Sequence, residues 1–475
     1  MKHTTCIFIS LICFFLLGTL LYSCIRKKKK EDNRVVYLDL PQIKESGQIT
    51  ALTLSSSISY FMYKEEEMGY EYELIKGFAE SQNLQLNIKV AENENRLLEM
   101  LQAGEGDVVA YNISVTNPNK DNFIYCGEEV INKQVLIQRA NYEDTILTDV
   151  TQLIGKDVWV LENTKYYNRL VNLNDELGGG IFIKDIGKDT VSVEDLIAMV
   201  ASGEIPYTLS DNDIAKLNKT YYSNINIALD VSHPQRSAWV VNKSSSQLAE
   251  ALDDWFKNTK NTSRYRAIMK RYFEMSKMPG DAPAPILGKG KISPYDDIFK
   301  KYAVQIGWDW KLLASIAYQE SRFKLETVSW AGAVGLMGLM PATANAFGVA
   351  AEDRIFPEPS IKAGTAYIKA LQRSFSKVED ENEQIKFILA SYNAGIAHIL
   401  DAQALARKYG KNPYFWDENV VECLKWKRLP EYYNDSVCKY GYFRGTETLN
   451  YVRQVFERWE YYKEKVDDVN VAKIE

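Results

Sequence analysis

A carboxyl group placed where water is scarce is a candidate general acid, and Glu320 has that placement in the sequence. Leu313, Ile316, Ala317 and Glu320 recur at helical spacing, so Glu320 continues the apolar stripe of a helix read from Trp308 onward. Desolvation disfavours the charged carboxylate and raises its pKa, which is what a proton donor near neutrality requires. On periodicity alone, a carboxylate that turns to solvent at a helix end is the commoner outcome, so the neighbouring segments have to decide. Gly332, Gly335 and Gly338 recur at intervals of three just downstream. Glycine permits tight turns and lets a polymer approach the backbone. Pro341 suits the first turn of a short helix running to Phe347. Ala390-Ser-Tyr-Asn-Ala-Gly395 closes a helix read from Gln384, with Gly395 suited to its C-terminal cap, and Glu447–Val452 opens the last helix. Metal chemistry has little to work with. The chain has three histidines, one of them in the leader, and its cysteines fit no metal-ligand spacing. No metal and no cofactor is expected.

The elements that must hold these residues fall into two domains behind a leader. The chain has 475 residues, 46% hydrophobic and 25% charged, with a net charge of −6. That balance gives each domain a core and argues against a nucleic-acid partner. Lys2 and His3 precede an apolar run from Cys6 to Tyr22 that ends in Leu21-Tyr22-Ser23-Cys24, the pattern of a secretory signal. Residues 1–23 are read as a lipoprotein signal peptide and 24–46 as a tether, with Arg26-Lys-Lys-Lys-Lys30 either a solvated spacer or a contact for anionic headgroups. An uncleaved signal anchor is the alternative, and either reading tethers the protein to a membrane outside the cytoplasm. Residues 277–291 are rich in proline and glycine and read as a linker between domains at 47–276 and 292–475. The first alternates strand-like and helix-like stretches (Ile49–Leu54, Tyr72–Ser81, Leu84–Val90, Asn95–Ala103, Gly106–Ala110), which predicts a two-lobed α/β domain with a largely parallel sheet and a cleft. The second reads as mainly helical. After signal removal Cys423 and Cys438 are the only cysteines close in sequence, and an oxidising compartment makes a disulfide between them an open expectation.

Taken together and in order, Gln319-Glu-Ser-Arg-Phe323, Ser329–Pro341, Phe356–Ile368, Ser391-Tyr-Asn-Ala-Gly395 and Glu447–Val452 resemble the lysozyme-like lytic transglycosylase family, over about residues 292–460. The resemblance implies a lysozyme-like fold that acts on peptidoglycan strands. It implies that Glu320 protonates the bond between N-acetylmuramic acid and N-acetylglucosamine. Glu320 then takes the proton of the muramic C6 hydroxyl, giving a 1,6-anhydro product with no second catalytic carboxylate. It further implies substrate contacts from Ser329, Met340, Tyr392, Asn393 and Tyr451. For Tyr392, Asn393 and Tyr451 a buried structural role stays open. One departure is visible: Gly338 stands where the family places a glutamine that bonds sugar, which would cost about 1 kcal/mol of glycan binding. Ser360 replaces a usual asparagine, one capping residue for another. A glycan-binding sensor with weak or no catalysis and a hydrolytic muramidase are the competing readings.

The segments Tyr70–Glu80, Leu98–Ala110 and Ile113–Lys120 resemble the extracellular solute-binding family for amino acids, over about residues 47–276. The resemblance implies a periplasmic-binding-protein fold with a ligand in its cleft, a small molecule or a muropeptide, and a role in regulating or positioning the second domain. Lys120 stands where the family has an arginine that forks onto the ligand carboxylate, and lysine is only a point charge. Asp211 and Asp213 are candidates for the acid that meets the ligand's amine, or else plain surface or capping carboxylates. The Leu-Tyr-Ser-Cys end of the leader resembles a lipobox, implying lipidation of Cys24 and an outer-membrane anchor facing the periplasm.

Overall fold

A computed structural model describes residues 37–140, 146–162, 164–186, 191–277 and 290–466. The leader with Cys24, the basic run and linker residues 278–289 lie outside the described residues. In the first domain, β1 (Gln48–Leu54) pairs in parallel with β4 (Gln85–Ala91) and β5 (Val108–Ser114). β1 is covered on both faces, so Ile49, Ala51 and Leu52 are all buried without polar alternation. β12 (Gln235–Asn242) then runs antiparallel between β5 and β6 (Phe123–Asn132), giving the order β4-β1-β5-β12-β6.

The second sheet contains β7 (Gln134–Arg139), β8 (Asp157–Trp159), β9 (Phe182–Lys184), β10 (Thr208–Asp211) and β11 (Ile225–Asn226) in the order β11-β7-β10-β8-β9. Here β10 is parallel to β8 but antiparallel to β7. Both sheets are therefore mixed, which corrects the largely parallel expectation. The reason is the connection: Lys133 alone joins β6 to β7 across the lobes, and β12 brings the chain back, so each lobe receives strands running both ways. The lobes are held by separate cores.

The second domain is built around helix Trp310–Ser321. Asp309 caps its start by accepting from the Lys311 N–H at 2.9 Å. Residues 311–319 are all buried, so the helix is enclosed on every side and forms the centre of a domain. It ends where Arg322 and Phe323 both take positive φ, 51° and 61°. Helices Pro357–Ser374, Glu381–Ala394, Ile396–Lys408 and Thr446–Lys465 share its core. Cys423 and Cys438 are free thiols, so the expected disulfide is absent. Burial pushes the two thiols up to about 12 and about 11, which suppresses the thiolate that exchange requires.

The two domains meet through a short hairpin that sequence patterning did not reveal. β2 (Phe61–Tyr63) and β3 (Glu66–Met68) are antiparallel, joined by Lys64 and Glu65. The hairpin leaves the first lobe and enters the helical domain, where the Lys64 N–H donates to Ala394 O at 3.1 Å. In return, Trp330 of the second domain lies in the core of the first, 4.9 Å from the Tyr63 ring and 6.4 Å from that of Phe61. Leu313→Ala, at a position with no exposure, is expected to lower unfolding stability by about 2–5 kcal/mol in urea denaturation. A loss below about 1 kcal/mol would show that this helix is not the centre of its domain.

Candidate active site

Glu320 faces inward at the last turn of its helix, with its side chain 8% exposed. Burial raises its pKa, and the nearby Lys64 ammonium and Tyr451 hydroxyl pull it partly back. The chain around it is shaped by glycine. Gly338 has φ +57°, and a Cβ there would stand 2.0 Å from Glu320 Oε2. The loop therefore passes so close over the carboxylate that only glycine fits. This gives the departure at Gly338 a steric reason.

A space of about 870 Å³, open to solvent, borders the carboxylate, lined from the second domain by Glu320, Ser329, Asn393, Glu447 and Tyr451 among others. Tyr63 and Lys64 of the first domain close it, with Lys277 at the start of the linker. Lys64 Nζ lies 3.4 Å from Glu320 Oε2 and 3.4 Å from the Gly338 carbonyl oxygen. Tyr63 donates its hydroxyl to Glu447 Oε1 at 2.8 Å. His398 Nε2 is 3.0 Å from Met62 O, so it donates there, while its Nδ1 faces the buried Lys427 ammonium at 3.0 Å. Asp401 pairs with Lys427 at 2.6 Å and keeps that cation tolerable. Glu320 Oε1 and the Tyr451 hydroxyl are both buried, and the hydroxyl lies close enough to the carboxyl to favour its ionised form.

Residues 297–415 match the family Transglycosylase SLT domain, and residues 49–275 match Bacterial extracellular solute-binding proteins, family 3. A protein of Desulfosudis oleivorans named membrane-bound lytic murein transglycosylase F is 32% identical over 91% of this chain and 94% of its own length. One of the same name in Pseudomonas fluorescens is 29% identical over 88% of this chain and 85% of its own. Among solved structures, the second substrate-binding domain of Lactococcus lactis GlnP covers 50% of this chain and 97% of its own, at 17% identity and TM-score 0.41. The chain belongs to the membrane-bound lytic murein transglycosylase F family. It is an enzyme of the lytic transglycosylase class, with a solute-binding-type domain joined to a lysozyme-like one.

The transglycosylase F framework brings together some of the sequence-predicted residues and sets others aside. Ser329 and Tyr451 line the Glu320 cavity, and Asn393 lines it while its Oδ1 accepts from Thr448 at 2.7 Å. The Ser329 hydroxyl accepts from the Ala333 N–H at 3.0 Å, bracing the turn that carries it. Tyr392 is buried beneath the cavity and donates to Met337 O at 2.8 Å, so it holds the loop next to Gly338. Met340 is buried and does not line the cavity. Ser360 is not a cap: it lies within helix Pro357–Ser374, and its hydroxyl accepts from the Met337 N–H at 3.1 Å. In the first domain Asp211 and Asp213 line the cleft between the lobes, while Lys120 lies on the short helix Asn117–Asn122 outside that lining. Sequence reasoning missed Tyr63, Lys64 and Glu447. The first two carry no motif, and Glu447, although it opens the segment Glu447–Val452, becomes a site residue only once the fold buries it beside Glu320.

Two outcomes test this geometry. Removing the Lys64 ammonium by Lys64→Met takes away an interaction that lowers the Glu320 pKa, so the carboxyl titration followed by carbon NMR is expected to move to higher pH; an unmoved midpoint would mean the ammonium does not act on Glu320. Gly338→Ala is expected to cost about 1–3 kcal/mol in thermal or urea unfolding, from positive φ and overlap with Glu320. A neutral result would show that the loop stands farther off.

Proposed function

We propose that the protein cleaves the β-1,4 bond between N-acetylmuramic acid and N-acetylglucosamine in peptidoglycan, with Glu320 as the one acid and base, and that the conformation described is its masked resting state. The observation that carries the reading is the buried carboxyl at the end of helix Trp310–Ser321, with its pKa raised by burial. Protonated, it gives its proton to the glycosidic oxygen. Ionised by that transfer, it takes the proton of the muramic C6 hydroxyl as that oxygen closes onto C1. The products are a 1,6-anhydromuramic end and a free N-acetylglucosamine end, and no water is consumed. The internal nucleophile gains from proximity. Ser329, Asn393 and Tyr451 are the proposed sugar contacts, with Tyr392 and Met340 supporting them from below.

Masking rests on the hairpin. It fills space that a glycan strand needs, and it acts chemically too, because the Lys64 ammonium favours the ionised Glu320 while the first step needs the protonated one. The first domain thus regulates the second by inserting or withdrawing Lys64. By the same reading the protein works in the cell envelope, held through Cys24 in the outer membrane and facing the periplasm. No helix among the described residues is long and apolar enough to cross a membrane.

Purified full-length protein in mild detergent, incubated with peptidoglycan, is expected to release muropeptides lighter by one water than hydrolysis products, as read by mass spectrometry. Glu320→Gln should reduce release at least about a thousandfold. Lys64→Ala should raise it severalfold. Reducing ends in place of anhydro ends would make the protein a muramidase. No release from either the intact or the Lys64→Ala protein would leave a glycan-binding role.

A further inference from the structure

The hairpin that masks Glu320 carries an acid as well as the Lys64 ammonium, and the cation facing that acid takes no part in bond cleavage. Strand β3 begins with Glu66, which pairs across the hairpin with Tyr63. Tyr63 is the residue bound to Glu447, and Cα atoms opposite each other in such a ladder are about 5 Å apart. A carboxylate is therefore brought to the helical domain beside the tip that blocks the acid. Burial raises the Glu66 carboxyl, while Lys76 of its own domain and Arg354 of the helical domain pull it back. Arg354 in turn is lowered by burial and supported by Glu66. Glu352 and Asp353 stand next to Arg354 in the chain, yet the acid that acts on it comes from the other domain. The action is through space, with no hydrogen bond between the two groups.

Arg354 is held as a fixed fork. It belongs to the 3-10 turn Ala351–Ile355 and is 9% exposed. Its Nε donates to Ala351 O at 2.6 Å and its Nη1 to Leu339 O at 2.7 Å. Leu339 follows Gly338, so this guanidinium is tied to the loop that passes over Glu320. The Arg354 carbonyl oxygen lies against the same loop, where a Cβ on Gly335 would come to 1.9 Å. Its remaining nitrogen, Nη2, makes no hydrogen bond among the described residues. A planar guanidinium already fixed at two nitrogens loses little freedom when the third takes a carboxylate. The next two residues, Ile355 and Phe356, are exposed apolar side chains and give the ground beside it an apolar character.

We infer that Arg354 is a subsite for a carboxylate on the muramic side arm of the glycan strand, and that Glu66 stands in for that carboxylate while the hairpin is inserted. The inference rests on the reading that strands occupy the groove of Glu320. Withdrawing the hairpin removes the one acid acting on Arg354 and leaves a desolvated cation beside the catalytic loop. The side arm supplies a carboxylate from its stem peptide or, where the peptide has been removed, from the lactyl group itself. The chemistry at the guanidinium is the same for both. A neutral strand forgoes the contact, so Arg354 sorts strands by the charge of their side arms without touching the bond that breaks.

The test is equilibrium binding of tagged soluble strands to the full-length protein carrying Glu320→Gln, which keeps the strands intact and removes the partner of Lys64. Three ligands are compared: strands with stem peptides, strands stripped by an amidase so that the lactyl carboxylates are bare, and chitohexaose, which has no carboxylate. Adding Arg354→Gln is expected to weaken at least one carboxylate-bearing strand at least about tenfold and to leave chitohexaose within about twofold. Loss confined to the peptide-bearing strands assigns the carboxylate to the stem, and loss on the stripped strands assigns it to the lactyl group. Should the melting temperature show that the glutamine variant does not fold, Arg354→Lys keeps a charge without the fork and is expected to show the same selective loss, at least about threefold. Unchanged affinity for both carboxylate-bearing strands overturns the proposal. So does an equal loss for chitohexaose, which would make Arg354 a brace of the 335–339 loop and nothing more, or failure to bind any strand. Because binding is read, an absence of anhydro ends from the intact protein would sink the cleavage reading and leave this result standing.

Discussion

One ion pair organises the molecule: the Lys64 ammonium against Glu320, each side chain less than a tenth exposed. A buried pair of this kind is worth little as stability, because desolvation offsets the attraction. Its effect is on state. The pair ties the protonation of the acid to the position of a hairpin that belongs to another domain. The contacts of the hairpin bring that ammonium to that place. Tyr63 is anchored on Glu447, Met62 on His398, and the Lys64 backbone on the end of helix Glu381–Ala394.

The turn that delivers Lys64 is itself held against preference. Lys64 and Glu65 have φ of 48° and 66°, a conformation that glycine or asparagine adopts far more readily. Strain of this kind persists where surrounding contacts over-determine it. Here those contacts come from the second domain, including Gly395, where a Cβ would approach Glu65 N to 3.2 Å. A second contact zone, Arg428 with Asp195 and Arg444 with Glu194, Asn218 and the Tyr221 ring, fixes the farther lobe. The helical domain therefore touches both lobes of the first, and its grip depends on how those lobes stand to each other.

Much of the fold was legible in the sequence because it rests on local patterns. Helix Glu94–Gln102 falls within one residue of where its pattern places it, and Asn93, which accepts from the Arg96 N–H, explains its start. β1 and helix Tyr70–Ser81 agree with expectation to within two residues. Glu320 was legible through its apolar stripe and the ordered segments that follow it. The strand directions were not, because which lobe receives a strand depends on crossings and not on its residues. The hairpin was not legible either. Its turn is Lys-Glu instead of Asn-Gly, its strands have three residues each, and its apolar side chains are buried only by a partner far away in the chain. The necessity of Gly338 has the same origin, since only the folded loop shows what a Cβ would strike.

Trp330 belongs by sequence to the helical domain and by packing to the core of the other. The boundary drawn along the chain is thus not the boundary of the inheritable parts. A first domain exchanged between two relatives would arrive without the indole that completes its interior, and the recipient would display an orphan ring on its surface. Recombination at the linker would join two incompatible halves unless the 329–333 turn travelled with the hairpin it receives. The two modules are therefore constrained to diverge together, residue against residue, across a seam that ordinary domain shuffling would ignore.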